Sequence, residues 1–61
     1  MSLFLSIKNV QQLTNLQPTA AQRKLAKVRK VYHIAKYEQV PIALYCEYYK
    51  QDVRLALEIL S

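Results

Sequence analysis

Arg23, Lys24, Lys27, Arg29, Lys30 and Lys36 place six cations in fourteen consecutive residues with no acid among them. Such side chains bind anions: lysine as a point charge, arginine as a planar fork that fits phosphate or the edge of guanine. Thr19, Gln22 and the small residues Ala20 and Ala26 are interleaved with them. Glutamine pairs with adenine edges, threonine offers a hydroxyl or a methyl group to thymine, and alanine lets a backbone approach base pairs closely. The chemistry on offer is recognition of a polyanion. Catalysis and metal binding have far less to stand on. His33 is the single histidine, and Cys46 and the acids show no ligand spacing, so no metal is expected. No paired carboxylates or nucleophile–base set occurs. The chain is therefore expected not to be an enzyme, and to use no cofactor and no small-molecule substrate. Cys46 reads as a small buried hydrophobe. Tyr45, Tyr48 and Tyr49, at helical spacing, read as core rather than as a stacking platform for bases. Glycine is absent altogether, which excludes a glycine-rich phosphate loop.

The cations need an element to carry them. Ala21, Leu25, Val28, Val31, Tyr32 and Ala35 recur at steps of three and four, so a long amphipathic helix is expected over 18–36. At about 100° per residue, Thr19, Arg23, Ala26, Lys27 and Lys30 fall opposite Leu25, with Lys24 and Arg29 on the flanks. Pro18 suits the first helical position, where its missing N–H is no loss. Thr19-x-x-Gln22 offers a competing start of capping-box form. Upstream, Leu3, Phe4, Leu5 and Ile7 form a short β-prone run. Ile7, Val10 and Leu13 then step as a short helix from about Lys8 to Leu13. Asn15 tolerates the left-handed backbone that would close it, and Leu16 is expected to point into the core. Downstream, Pro41 bars helix at Val40. A third helix is expected over Ile42–Tyr49, a turn at Lys50–Gln51, and a fourth helix over Val53–Leu60 capped by Asp52. Val40 and Leu5 are candidates for a minimal two-stranded β ribbon. A shift of 35 residues lays Ile7 on Ile42, Asn15 on Lys50, Ala21 on Ala56 and Leu25 on Leu60. Each half would be a short helix, a tight turn and a second helix. The expected fold class is all-α: a compact three- to four-helix domain of helix-turn-helix type spanning 1–61.

A chain of 61 residues forms one domain with a small core. Its net charge of +5 is unevenly spread. Residues 1–36 hold seven basic residues and no acid, whereas 37–61 hold Lys50 and Arg54 against Glu38, Glu47, Asp52 and Glu58. The positive potential is thus local to the long helix, and a polyanion is the expected partner. One cysteine allows no internal disulfide and suits a reducing compartment. No apolar run approaches the roughly 20 residues of a membrane span. MSLFLSIK has no basic leader region, so a cytoplasmic location is expected.

A short helix, a turn and a second helix with a cationic outer face is the helix-turn-helix arrangement, in which the first helix braces the second in the major groove. The stretch VQQLTNLQPTAAQRKLAKVRK resembles the small helix-turn-helix proteins of phages and bacterial mobile elements, in the broad excisionase and MerR-like grouping. Leu13-Thr14-Asn15-Leu16 stands for that family's turn, with Asn15 in place of its glycine. Ala21 and Arg23 stand for its helix signature, and Tyr45-x-x-Tyr48 for its later helix. The likeness covers most of 7–60, and no wing hairpin is legible after the recognition helix. It implies binding of double-stranded DNA in transcription control or recombination. Thr19, Gln22, Arg23 and Lys27 are then the expected base contacts, and Lys24, Arg29, Lys30 and Lys36 the expected phosphate contacts. One alternative is a small regulator whose basic helix docks on an acidic protein; another is an RNA or membrane-surface binder. On the fourth helix, Leu55 and Ile59 fall outside the core-facing stripe of Val53, Ala56, Leu57 and Leu60. They are expected at a homodimer or partner interface, unless the run Leu3 to Leu5 covers them.

Overall fold

The computed structural model describes residues 4–61. The chain is mostly helical, in the order β1 (Phe4–Leu5), α1 (Ile7–Thr14), α2 (Pro18–Val31), β2 (Val40–Pro41), α3 (Ile42–Tyr49) and α4 (Val53–Leu60). The two strands form the expected ribbon, and it is antiparallel, with Leu5 opposite Val40 and Phe4 opposite Pro41. Leu5 is thereby buried in the ribbon and does not cover α4. Leu3 lies outside the described residues.

Several helix ends have a local reason. Ser6 starts α1 through a capping box: the Asn9 backbone N–H donates to Ser6 Oγ at 3.2 Å, and the Ser6 N–H donates to Asn9 Oδ1 at 2.9 Å. α1 closes on Asn15 at φ 60, whose N–H donates to the Gln11 carbonyl at 2.8 Å. Pro18 occupies the first position of α2, after Gln17, and the capping box proposed at Thr19 is not the start. Asp52 caps α4, its Oδ1 accepting from the Arg54 N–H at 2.8 Å. α3 and α4 keep the boundaries expected from the sequence.

The long helix ends earlier than expected, at Val31 rather than Lys36. His33 turns left-handed at φ 57, and the Ile34 N–H reaches back to the Arg29 carbonyl at 2.9 Å. The cause is Ile34. A continued helix would point it about 180° away from Leu25, into water; the turn instead lays it against the core. Two apolar expectations fail alongside. Val31 lies off the buried arc of α2 and is 48 % exposed, and Leu16 sits at the surface of the turn.

Leu5, Val10, Ala21, Leu25, Val28, Val40, Ile42, Tyr45, Cys46 and Ala56 make the core. It joins the inner faces of all four helices to the ribbon. Tyr48 and Tyr49 pack at its edge, their rings edge-to-face with centroids 4.8 Å apart. Burial, with Asp52 nearby, raises the Cys46 thiol above its ordinary range, as suits an inert core residue.

The 35-residue rhyme extends to the order and starting points of the helices. α1 and α3 are equal in length and start 35 residues apart; α2 and α4 also start 35 residues apart, but span 14 and 8 residues. Left-handed Asn15 and Lys50 close the paired turns, and the equivalent residues Leu5 and Val40 face each other across the ribbon, as a local two-fold requires.

With no glycine in the chain, every left-handed position carries a Cβ, at a cost of about 1–2 kcal/mol each. Lys50→Gly is therefore expected to raise stability by about 0.5–1 kcal/mol, read by urea unfolding, since glycine relieves the strain but frees the unfolded chain. A loss would show that the Lys50 side chain holds something in place.

Candidate nucleic-acid interface

α2 is held from two sides so that its third side faces water. Ala21, Leu25 and Val28 are buried along one line of the helix, about one turn apart. On one flank, Lys24 lies over α3: its ammonium is 4.2 Å from the Tyr49 ring centroid and 5.9 Å from that of Tyr45. The Tyr49 hydroxyl donates to the Lys24 carbonyl at 2.9 Å. Such cation–π contacts hold the side chain against the tyrosines. At the end of the helix, partial burial and the neighbouring Glu47 carboxylate raise the Tyr32 phenol above its ordinary range, a second tie between α2 and α3.

On the other flank, Arg29 bends inward. Its Nε and Nη2 both donate to the Glu38 carbonyl, at 3.2 and 3.0 Å. This fork ties the loop 32–39 back along α2. The Glu38 N–H donating to the Ala35 carbonyl at 3.0 Å tightens the loop further. Lys36, expected on the helix itself, instead comes to the helix on this loop.

The result is a concavity of about 420 Å³ lined by Gln22, Ala26, Arg29 and Lys30 of α2 and by Ile34 and Lys36 of the loop. Thr19, Arg23 and Lys27 are exposed on the same outer side of α2. The structure thus gathers seven of the eight expected contact residues on one side of α2, four of them lining the concavity, with Arg29 at its base. Lys24 is the correction: its side chain is engaged with the α3 tyrosines, away from the concavity. Arg29 is partly corrected, because two of its five N–H donors are committed to the loop. Its geometry makes it the residue that positions Lys36.

Sequence reading missed Tyr37. It stands at the tip of the tethered loop, 90 % exposed, between Lys36 and Glu38. An aromatic ring held that far into water has no part in the core. Its signal in the sequence was the failure of the helical stripe at Tyr37-Glu38-Gln39, which marks a loop but not its direction.

The described residues contain no cluster of His, Cys, Asp or Glu able to hold a metal ion. Among them no helix is long and apolar enough to cross a membrane. The chain matches no protein-family model, and no curated protein or solved structure matches it.

Proposed function

We propose that this chain binds double-stranded DNA in a sequence-dependent manner, as a cytoplasmic, non-catalytic helix-turn-helix protein of transcription control or recombination. α2 is its recognition helix. The observation that carries the reading is the concave surface on which Gln22, Ala26, Lys30 and Lys36 converge beside exposed Arg23 and Lys27. A small residue at Ala26 lets the helix approach base edges, Gln22 and Arg23 are suited to read them, and the lysines neutralise phosphates on either side. Thr19, at the start of the helix, completes the base-facing set. Tyr37 and Lys36 extend the surface beyond the helix, onto the sugar–phosphate backbone. α1 braces α2 through the short turn at Asn15, as the arrangement requires.

Titration with random-sequence duplex DNA at two salt concentrations tests the reading. Binding should weaken steeply with salt, because counterions are released as phosphates are neutralised. Lys27→Ala and Lys30→Ala should each lower affinity for all sequences alike and reduce the salt slope by about one unit. Absence of binding at low salt would overturn the proposal and favour an acidic protein as the partner of the same helix. An unchanged slope would place these two lysines in solvent in the complex.

A further inference from the structure

The second half of the chain repeats the plan of the first but not its charge. Under the 35-residue shift α4 takes the place of α2, Arg54 and Glu58 take the places of Thr19 and Arg23, and Leu55 and Ile59 take those of Ala20 and Lys24. Where α2 carries Ala20 and the tyrosine-bound Lys24, α4 presents two large aliphatic side chains. Leu55 is 58 % exposed and Ile59 53 %. With Leu13 of α1 and Ala56 they line a shallow apolar groove of about 300 Å³, with Asp52 and Gln51 at one end. Asp52 and Glu58 are at this face, which carries no cation but Arg54 and so does not suit a nucleic acid.

We infer that the α4 face is the contact surface for a second copy of this chain. The argument is self-complementarity. Arg54 and Glu58 lie four residues apart, one turn of helix, on the exposed side of α4 next to the Leu55–Ile59 stripe. If two α4 helices meet antiparallel across a two-fold axis, Leu55 and Ile59 of each copy cover those of the other. The same axis sets each Arg54 against Glu58 of the second copy, so one pair of opposite charges is used twice, as an isologous contact requires. An acidic or a basic partner protein would satisfy only one of the two. α4 packs chiefly on α1 and α3, so the face stays available while α2 is occupied.

The size of the face decides how the pairing is used. An eight-residue helix is about 12 Å long. Two aliphatic side chains on it fall well short of the roughly 800 Å² per partner of a stable complex. The contact is therefore weak in free solution and becomes effective when two copies are held side by side on one duplex, where the second contact is intramolecular. This last step rests on the DNA-binding reading; the contact itself does not.

The experiment compares random-sequence duplexes of about 12 and about 40 base pairs, long enough for one copy and for several at the roughly 10 base pairs per helical turn. Sedimentation of the free protein up to millimolar concentration accompanies it. Wild type should bind the long duplex cooperatively and self-associate only near the top of the concentration range. Leu55→Glu/Ile59→Lys should bind the short duplex like wild type and lose about tenfold in apparent affinity, with all cooperativity, on the long one. Charge variants guard against misfolding, since they leave the core untouched. Arg54→Glu alone and Glu58→Arg alone should each abolish cooperativity, whereas an equimolar mixture of the two chains should restore it. Non-cooperative binding by wild type, or a mixture no better than its components, would overturn the inference. So would a wild type that stays monomeric at millimolar concentration while the double variant unfolds, because the face would then be covered within one chain. If neither duplex binds wild type but the free protein still self-associates through Arg54 and Glu58, the DNA-binding reading fails and the contact stands.

Discussion

Arg23→Ala is expected to weaken binding to a duplex selected from a randomised pool by about 1–3 kcal/mol, roughly five- to 150-fold, and to relax preference at one base pair. Affinity for random duplex should fall far less. The reason is position. Arg23 lies in the second turn of α2, about 160° from buried Leu25, and is exposed. Its neighbours Gln22 and Ala26 line the concavity, and the N-terminal turns of a recognition helix are those that reach base edges. Arg29, by contrast, donates twice to the Glu38 carbonyl, and Lys24 rests on the Tyr49 ring. Arg23 is therefore the arginine of α2 whose fork remains available for guanine. A guanidinium bonded bidentately to guanine discriminates between bases, whereas a phosphate contact does not. Equal losses on selected and random duplexes would make Arg23 a phosphate contact and end its assignment to the bases. Binding measured across salt separates the two cases a second way, since loss of a phosphate contact also lowers the salt slope.

Tyr45→Phe is expected to stabilise the protein, and increasingly so in alkali. The Tyr45 ring is fully buried, and its hydroxyl meets no hydrogen-bond partner among the described residues. A buried polar group left unsatisfied costs about 1–3 kcal/mol, and removing it here leaves the ring packing against Tyr49 in place. Burial also pushes the phenol from 10.0 up to about 12, with Tyr49 and then Cys46 adding smaller effects in the same direction. A phenol whose folded pKa is raised holds its proton more tightly in the native state than in the unfolded chain. Its contribution is thus complete below pH 10 and is lost as the pH rises towards 12. At pH 11 the loss for this one group is about 1 kcal/mol. Urea unfolding at pH 7 and pH 11 should show the variant ahead at both, by a wider margin at pH 11. Destabilisation at neutral pH would mean that the hydroxyl has a partner in solution. An unchanged margin would mean that Tyr45 titrates normally and is less enclosed than the structure shows.

Much of this protein follows from local chemistry. The apolar steps Ile7–Val10–Leu13 and Ala21–Leu25–Val28, Pro18, Asn15, Pro41 and Asp52 each act within one turn of chain, through backbone angle, capping or periodicity. That is why the helices, the left-handed turn at Asn15 and the limits of α3 and α4 could be read directly, and why the cationic character of α2 needed nothing but the order of residues. Tertiary structure decided what depends on distant partners. The end of α2 depends on Ile34 finding the core. Lys24 and Arg29 are cations like their neighbours in sequence, but the Tyr49 ring, 25 residues away, turns Lys24 away from the concavity, and the Glu38 carbonyl, 9 residues away, engages two of the Arg29 donors at its base. The loop that carries Lys36 and Tyr37 acquires its direction from the same arginine fork. A charged side chain's type is set by the sequence, whereas its use is set by whichever ring, carbonyl or anion the fold brings within its reach.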